Sequence, residues 1–272
     1  MAWLVGLWFV VAGAFAGSSK APAPAAVWPA AIALSASDGK PVPAVWGAPA
    51  KSDRGVVLVH QSGGAKEDWL AFGDKLFRGG LLVVAVDLRN KGVAADNAAA
   101  LPMIEDVKAG IAHLRAKGAT RIAVVGAELG ANIALNLAAD DPGVASVALL
   151  SPGMDYKGII TPDAIKRYGA RPALFVASKD DAYGARSAQA LDGQAQGPHQ
   201  LVIFEAAGKG TKMFNREPSL EGTLLGFVQS GWVAPAAAPP KAAAPAVKVD
   251  AATGLETSGP TEFPSETPAP AP

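Results

Sequence analysis

Short apolar runs that alternate with stretches of helical spacing, each run closed by turn residues, predict an α/β protein. The expected architecture is a mostly parallel, doubly wound sheet of about eight strands, with an N-terminal β-hairpin and no large lid. The first two runs, 31–35 and 43–46, flank an Asp38-Gly39 turn and read as that hairpin. The later runs, 55–60, 81–86, 121–126, 146–150, 173–177 and 200–204, are almost wholly apolar. Strands of that kind are covered on both faces, as in parallel sheets. Helical patterns separate them at 66–78, 103–117, 130–139, 182–191 and 220–229. Val107, Ile111 and Leu114 show the three- and four-residue spacing of a single buried stripe.

The domain expected from this alternation covers 27–232. Ahead of it, 1–16 reads MAWLVGLWFVVAGAFA, uncharged, and ends in the small-x-small pattern Ala14-Phe15-Ala16. Such a segment is expected to be a cleaved signal peptide, or an uncleaved anchor, since it is shorter than the roughly 20 residues of a spanning helix. The destination is then periplasmic or extracellular, with membrane contact only through this segment if it is retained. An Ala/Pro linker follows at 17–26, and 233–272 is rich in Ala, Pro, Thr and Glu, a composition expected to stay disordered.

Composition removes several function classes. The 24 basic and 24 acidic residues cancel, so no electrostatic grip on nucleic acid or acidic lipid is expected. The chain has no cysteine, which excludes disulfides, thiolate metal sites and a lipidated cysteine at the leader's end. No His/Asp/Glu group has metal-ligand spacing, no G-x-G-x-x-G follows a strand, and no cofactor is expected.

Ligands of parallel sheets sit beyond the carboxyl ends of the strands, so the residues just after each run carry the functional information. They are His60-Gln61-Ser62-Gly63-Gly64, Asp87-Leu88-Arg89-Asn90, Gly126-Ala127-Glu128-Leu129-Gly130, Ser178-Lys179-Asp180-Asp181 and Ala207-Gly208-Lys209-Gly210. In this order, with Trp69 beyond the glycine pair, they resemble the α/β-hydrolase family, nearest its dienelactone-hydrolase-like and small-esterase branch. The likeness runs over nearly all of 31–229. It implies a glycine loop for an oxyanion, a G-x-S-x-G turn bearing a nucleophile, an acid after a later strand, and a histidine in a final loop. By that matching, the backbone amides of Gln61 and Leu129 are the oxyanion donors and Asp181 is the acid, with Asp180 adjacent.

Two of the matched positions depart from the family. The nucleophile position holds Glu128 and the histidine position holds Lys209. A hydroxyl nucleophile and a base titrating near neutrality are both missing there. A carboxylate nucleophile needs a base to clear its covalent adduct, and neighbouring anions favour the charged, non-basic form of a lysine. The expectation is therefore a degenerate triad, Glu128, Asp181 and Lys209, whose charges compensate one another. The protein is expected to be a pseudo-hydrolase with a binding or scaffold role, its ligand a small molecule or a protein. The alternative is an ester or lactone hydrolase that uses Glu128 as nucleophile. His60 is expected to be structural, His113 and His199 to lie at the surface or in packing, and Ser62 to be out of reach of any base. Asp87 raises a dinucleotide-fold reading, which the missing glycines disfavour.

Overall fold

The computed structural model describes residues 26–49 and 51–231. The leader expected at 1–16, all of the 17–26 linker but its last residue, and the tail expected at 233–272 lie outside them. No helix among the described residues is long and apolar enough to cross a membrane.

The chain opens with β1 (Ala26–Ser35) and β2 (Pro41–Ala48), antiparallel and joined through a turn in which Gly39 takes the left-handed φ of +78°. There follow β3 (Arg54–Val59), α1 (Leu70–Arg78) behind a short 3-10 turn, and β4 (Leu82–Val86). Next come α2 (Asn97–Ala100), α3 (Met103–Ala116), β5 (Arg121–Ala127), α4 (Leu129–Asp140) and β6 (Val144–Leu150). A two-stranded hairpin, β7 (Asp155–Tyr156) and β8 (Ile159–Ile160), leads into α5 (Pro162–Tyr168). The chain then runs through β9 (Ala173–Ser178), α6 (Ala182–Asp192), β10 (His199–Phe204) and α7 (Ser219–Ser230). The main sheet has eight strands in the order β1-β2-β4-β3-β5-β6-β9-β10, parallel from β4 onward. This is the expected sheet with its N-terminal hairpin. The β7–β8 hairpin, α2 and α5 are additions that the sequence pattern does not announce.

The apolar runs are explained by what lies on each side of them. Val57 and Val59 of β3, Val84 and Val86 of β4, and Val124 of β5 face a cluster with Val107, Ile111 and Leu114 of α3, Ile133 of α4 and Ile165 of α5. The alternate residues, Val56, Leu58, Val83, Ala85 and Val125, face the opposite cluster with Phe72 and Leu76 of α1 and Leu220, Leu224 and Val228 of α7. Strand side chains alternate between faces, so covering both layers requires an apolar residue at every position. Each of the larger side chains, valine and upward, contributes about 1.5–3 kcal/mol when fully buried.

At the centre, β5 passes into α4 through a turn that only glycine permits on either side. A Cβ on Gly126 would lie 2.3 Å from the Gly130 carbonyl oxygen, and one on Gly130 would lie 2.5 Å from the His60 carbonyl oxygen. Both obstacles are backbone, so neither can move aside cheaply. Gly222 in α7 faces open space instead. Gly130→Ala is expected to lower stability in urea denaturation by about 3 kcal/mol. Gly222→Ala should raise it by about 0.5–1 kcal/mol through helix propensity. Equal effects of the two changes would mean that close approach does not fix position 130.

Candidate functional site

The tight β5–α4 turn sets the backbone of Glu128. Its φ of +48° and ψ of −114° mirror the extended region of an L-residue, a conformation comfortable only for glycine. Holding a glutamate there costs on the order of 1–3 kcal/mol. The turn is pinned from both sides: the Glu128 amide donates to the Leu150 carbonyl (2.8 Å), and the Glu128 carbonyl accepts from Ala131 and Asn132. Its side chain is thereby held up beyond the carboxyl ends of β5 and β6.

Lys209 meets it there. The Lys209 ammonium lies 3.0 Å from a Glu128 carboxylate oxygen. The Glu128 side chain is 11% exposed and that of Lys209 47%. The pair is half-open to solvent, so the cost associated with breaking a fully buried pair does not apply to it. Gly210, next in the chain, shows how closely this loop is seated. It takes a φ of +58°, and a Cβ there would lie 2.4 Å from Gln61 Oε1 and 3.1 Å from Glu128 Oε1.

Asp181 does not join them in an ion pair. It is the N-cap of α6, where Oδ1 accepts from the Gly184 amide (3.2 Å), while Oδ2 is buried without a hydrogen-bond partner among the described residues. An aspartate at a helix start is turned toward the free amides of the first turn, which accounts for its separation from the lysine. The neighbouring acid touches the Lys209 loop instead: Asp180 accepts from the Gly208 amide and pairs with Arg216 at 3.6 Å. Of the three charges expected to converge, two are brought together.

Neither the Gln61 nor the Leu129 amide donates a hydrogen bond to another described residue, so both remain available as oxyanion donors. The Gln61 side chain has a second job. Its Oε1 accepts from the Thr211 amide (2.8 Å) and hydroxyl (2.9 Å), locking the glycine loop to the segment after Lys209.

Two further residues shape the site, and their one signal in the sequence is their place after a strand. Ser151, at the end of β6 with a φ of +49°, is fully buried and accepts the Gly210 amide on Oγ (3.0 Å). Tyr156, on the β7–β8 hairpin, has a buried hydroxyl with no hydrogen-bond partner among the described residues. Burial, then the Glu128 and Asp181 carboxylates, raise its pKa well above the ordinary value. Both residues follow β6, whose end was the place to look for them.

The histidines lie elsewhere. The Leu88 amide can only donate, so His60 Nε2 must accept it (2.9 Å), which places the ring proton on Nδ1, donated to the Gln61 carbonyl (2.7 Å). His60 is buried, neutral and fully bonded. His113 packs edge-on against Trp46 at 4.6 Å, and His199 opens β10 with Asp192 at 3.7 Å. Ser62 is exposed on the glycine loop, and Asp87 is held by Lys66 at 2.7 Å. Burial lowers the His60 pKa from its ordinary 6.5, against the weaker opposing pull of the Gln61 carbonyl and Asp87. A neutral folded imidazole means that the unfolded chain binds the proton more readily. Its contribution to stability is complete above pH 6.5 and is lost as the pH falls toward the folded value. His113, lowered by burial and by Lys117, acts with the same sign. Nitrogen-detected NMR is expected to find His60 as the neutral Nδ1–H tautomer and less than half protonated at pH 6.5. An imidazolium there would overturn the assignment.

The chain matches the model of the alpha/beta hydrolase family over residues 56–267. An esterase from Pyrococcus furiosus shares the fold with a TM-score of 0.61 at 16% identity, over 75% of this chain and 92% of the esterase. A dienelactone hydrolase from Anabaena variabilis does so with a TM-score of 0.60 at 19% identity, over 75% of this chain and 95% of the hydrolase. No curated protein matches the chain at significant sequence similarity. From its sheet order, its strained β5–α4 turn and the family match over most of its length, the chain belongs to the alpha/beta hydrolase family.

Proposed function

We propose that the protein is an exported, non-catalytic member of this family that binds a ligand rather than hydrolysing one. The observation that carries the reading is the 3.0 Å contact between Glu128 and Lys209 at the nucleophile and histidine positions. An ammonium held against a carboxylate is a poor proton acceptor, and the carboxylate is in turn occupied by the ammonium. The neutral imidazole nearest in sequence to the oxyanion loop, His60, spends both nitrogens on backbone groups. A serine-type mechanism lacks a base, and a carboxylate mechanism lacks the means of activating water on its adduct.

One observation favours the rival reading, an ester or lactone hydrolase with Glu128 as nucleophile. The strained turn and the Gln61 and Leu129 amides, which have no acceptor among the described residues, are features that a site stabilising an oxyanion would need. Turnover of short p-nitrophenyl esters separates the two. No rate above buffer is expected for the wild type or for Glu128→Gln. A wild-type rate that Glu128→Gln abolishes would replace the binding reading with the rival.

Export is inferred from 1–16. Mass spectrometry of the chain recovered from a secreting bacterial host is expected to show a mature form starting at Gly17. A full-length chain retained in the cytosol would contradict export.

A further inference from the structure

We infer that a cavity of about 470 Å³ beside the glycine loop is a binding site for a small organic anion carried on a flat apolar body. The inference rests on the binding reading above and names its ligand. Gln61, Phe72, Lys91, Lys212 and Phe214 supply the relevant walls. Glu128, Asp181 and Lys209 do not line this cavity, so the ligand's seat is distinct from the charged pair.

The orientation of Gln61 is fixed by elimination. The Thr211 amide can only donate, so the atom 2.8 Å from it must be the carboxamide oxygen, and the nitrogen must point the other way. Gln61 is 7% exposed, yet no hydrogen bond from its Nε2 reaches any described residue. A side chain this buried, locked by two bonds at one end and bare at the other, presents a preorganised donor to the cavity.

The charges agree in sign. Lys91 and Lys212 form no ion pair among the described residues. Of the acids on the same walls, Glu221 pairs with Lys75, while Asp68 Oδ2 accepts only from the Ala65 amide (3.2 Å) and forms no ion pair among the described residues. Lys91 is also held in place, within a left-handed turn in which Asn90, Lys91 and Gly92 have φ of 51°, 52° and 70°. Its carbonyl accepts the Gly63 amide at 2.8 Å, which ties this turn to the glycine loop. The unpaired charges on the cavity walls are thus two lysines against one aspartate, and with the bare Gln61 amide the balance favours an anion.

The apolar part of the ligand is set by the aromatic wall. Phe72 and Phe214 stack with centroids 5.6 Å apart and planes at 30°, and Trp69 meets Phe214 edge-on at 5.7 Å. A flat ring laid against Phe214 gains stacking contact while its acidic group reaches Gln61 Nε2 and the lysines.

Calorimetry on the full chain tests this with benzoate and phenyl phosphate, which share the ring but differ in the anion, and with inorganic phosphate and benzylammonium. Benzoate or phenyl phosphate is expected to bind, with inorganic phosphate and benzylammonium at least roughly tenfold weaker. Gln61→Glu keeps an acceptor for Thr211 while replacing the donor with an anionic oxygen, and should weaken the organic anion by roughly tenfold or more. Lys212→Glu should do the same from an exposed position, which keeps the test decisive if Gln61→Glu fails to fold. Equal affinity for benzylammonium or inorganic phosphate, full affinity in Lys212→Glu, or no binding of either aryl anion would overturn the site. Ester turnover reports separately on the preceding reading: a chain that hydrolyses esters and binds benzoate sinks only that one, and a chain that does neither sinks only this one.

Discussion

The site depends on one steric constraint, the contact of α4 with the ends of β3 and β5. Because Gly126 and Gly130 have no side chains, the helix start sits directly on the His60 carbonyl, and the residue between them is forced into a conformation that L-amino acids avoid. That displacement lifts the side chain at 128 above the sheet and leaves the Leu129 amide without an acceptor among the described residues. Whatever residue occupies this position is presented in the same way. The chemistry is therefore set by the identity of one side chain and by the loop that faces it, while the scaffold supplies only position.

What faces it is an ammonium. In a serine hydrolase, a hydroxyl and an imidazole exchange a proton, and the exchange needs two groups of comparable proton affinity. A carboxylate and an ammonium answer each other by charge instead, and the pairing is at its best when no proton moves. Asp181 is occupied elsewhere. With no imidazole to orient, its carboxylate serves the start of α6, a structural task that leaves one oxygen buried and bare.

Much of this is written in the chain itself. The strands and long helices are legible because a sheet buried on both faces demands unbroken apolar runs, and helices on it demand a stripe of fixed spacing. The elements that escape such reading are short. The β7–β8 hairpin holds its place through contacts distant in sequence: Asn132 donates to the Ile159 carbonyl and Asn136 to that of Ile160. Within the site, Glu128 and Lys209 are readable from the loops that carry them, but that Asp181 stays apart from the lysine is not, because N-capping competes for the same carboxylate. The role of Gln61 is also hidden, since Thr211, which orients it, lies 150 positions further along.

The alternation of side chains between the two cores has a bearing on how such a protein can diverge. A single inserted residue in β3, β4 or β5 would send every later side chain of that strand into the wrong layer. The strands tolerate exchange of one apolar residue for another but not a change of length. The loops above them carry no such phase and can be rewritten residue by residue. A fold of this kind can thus lose one chemistry and take up another while its interior stays the same.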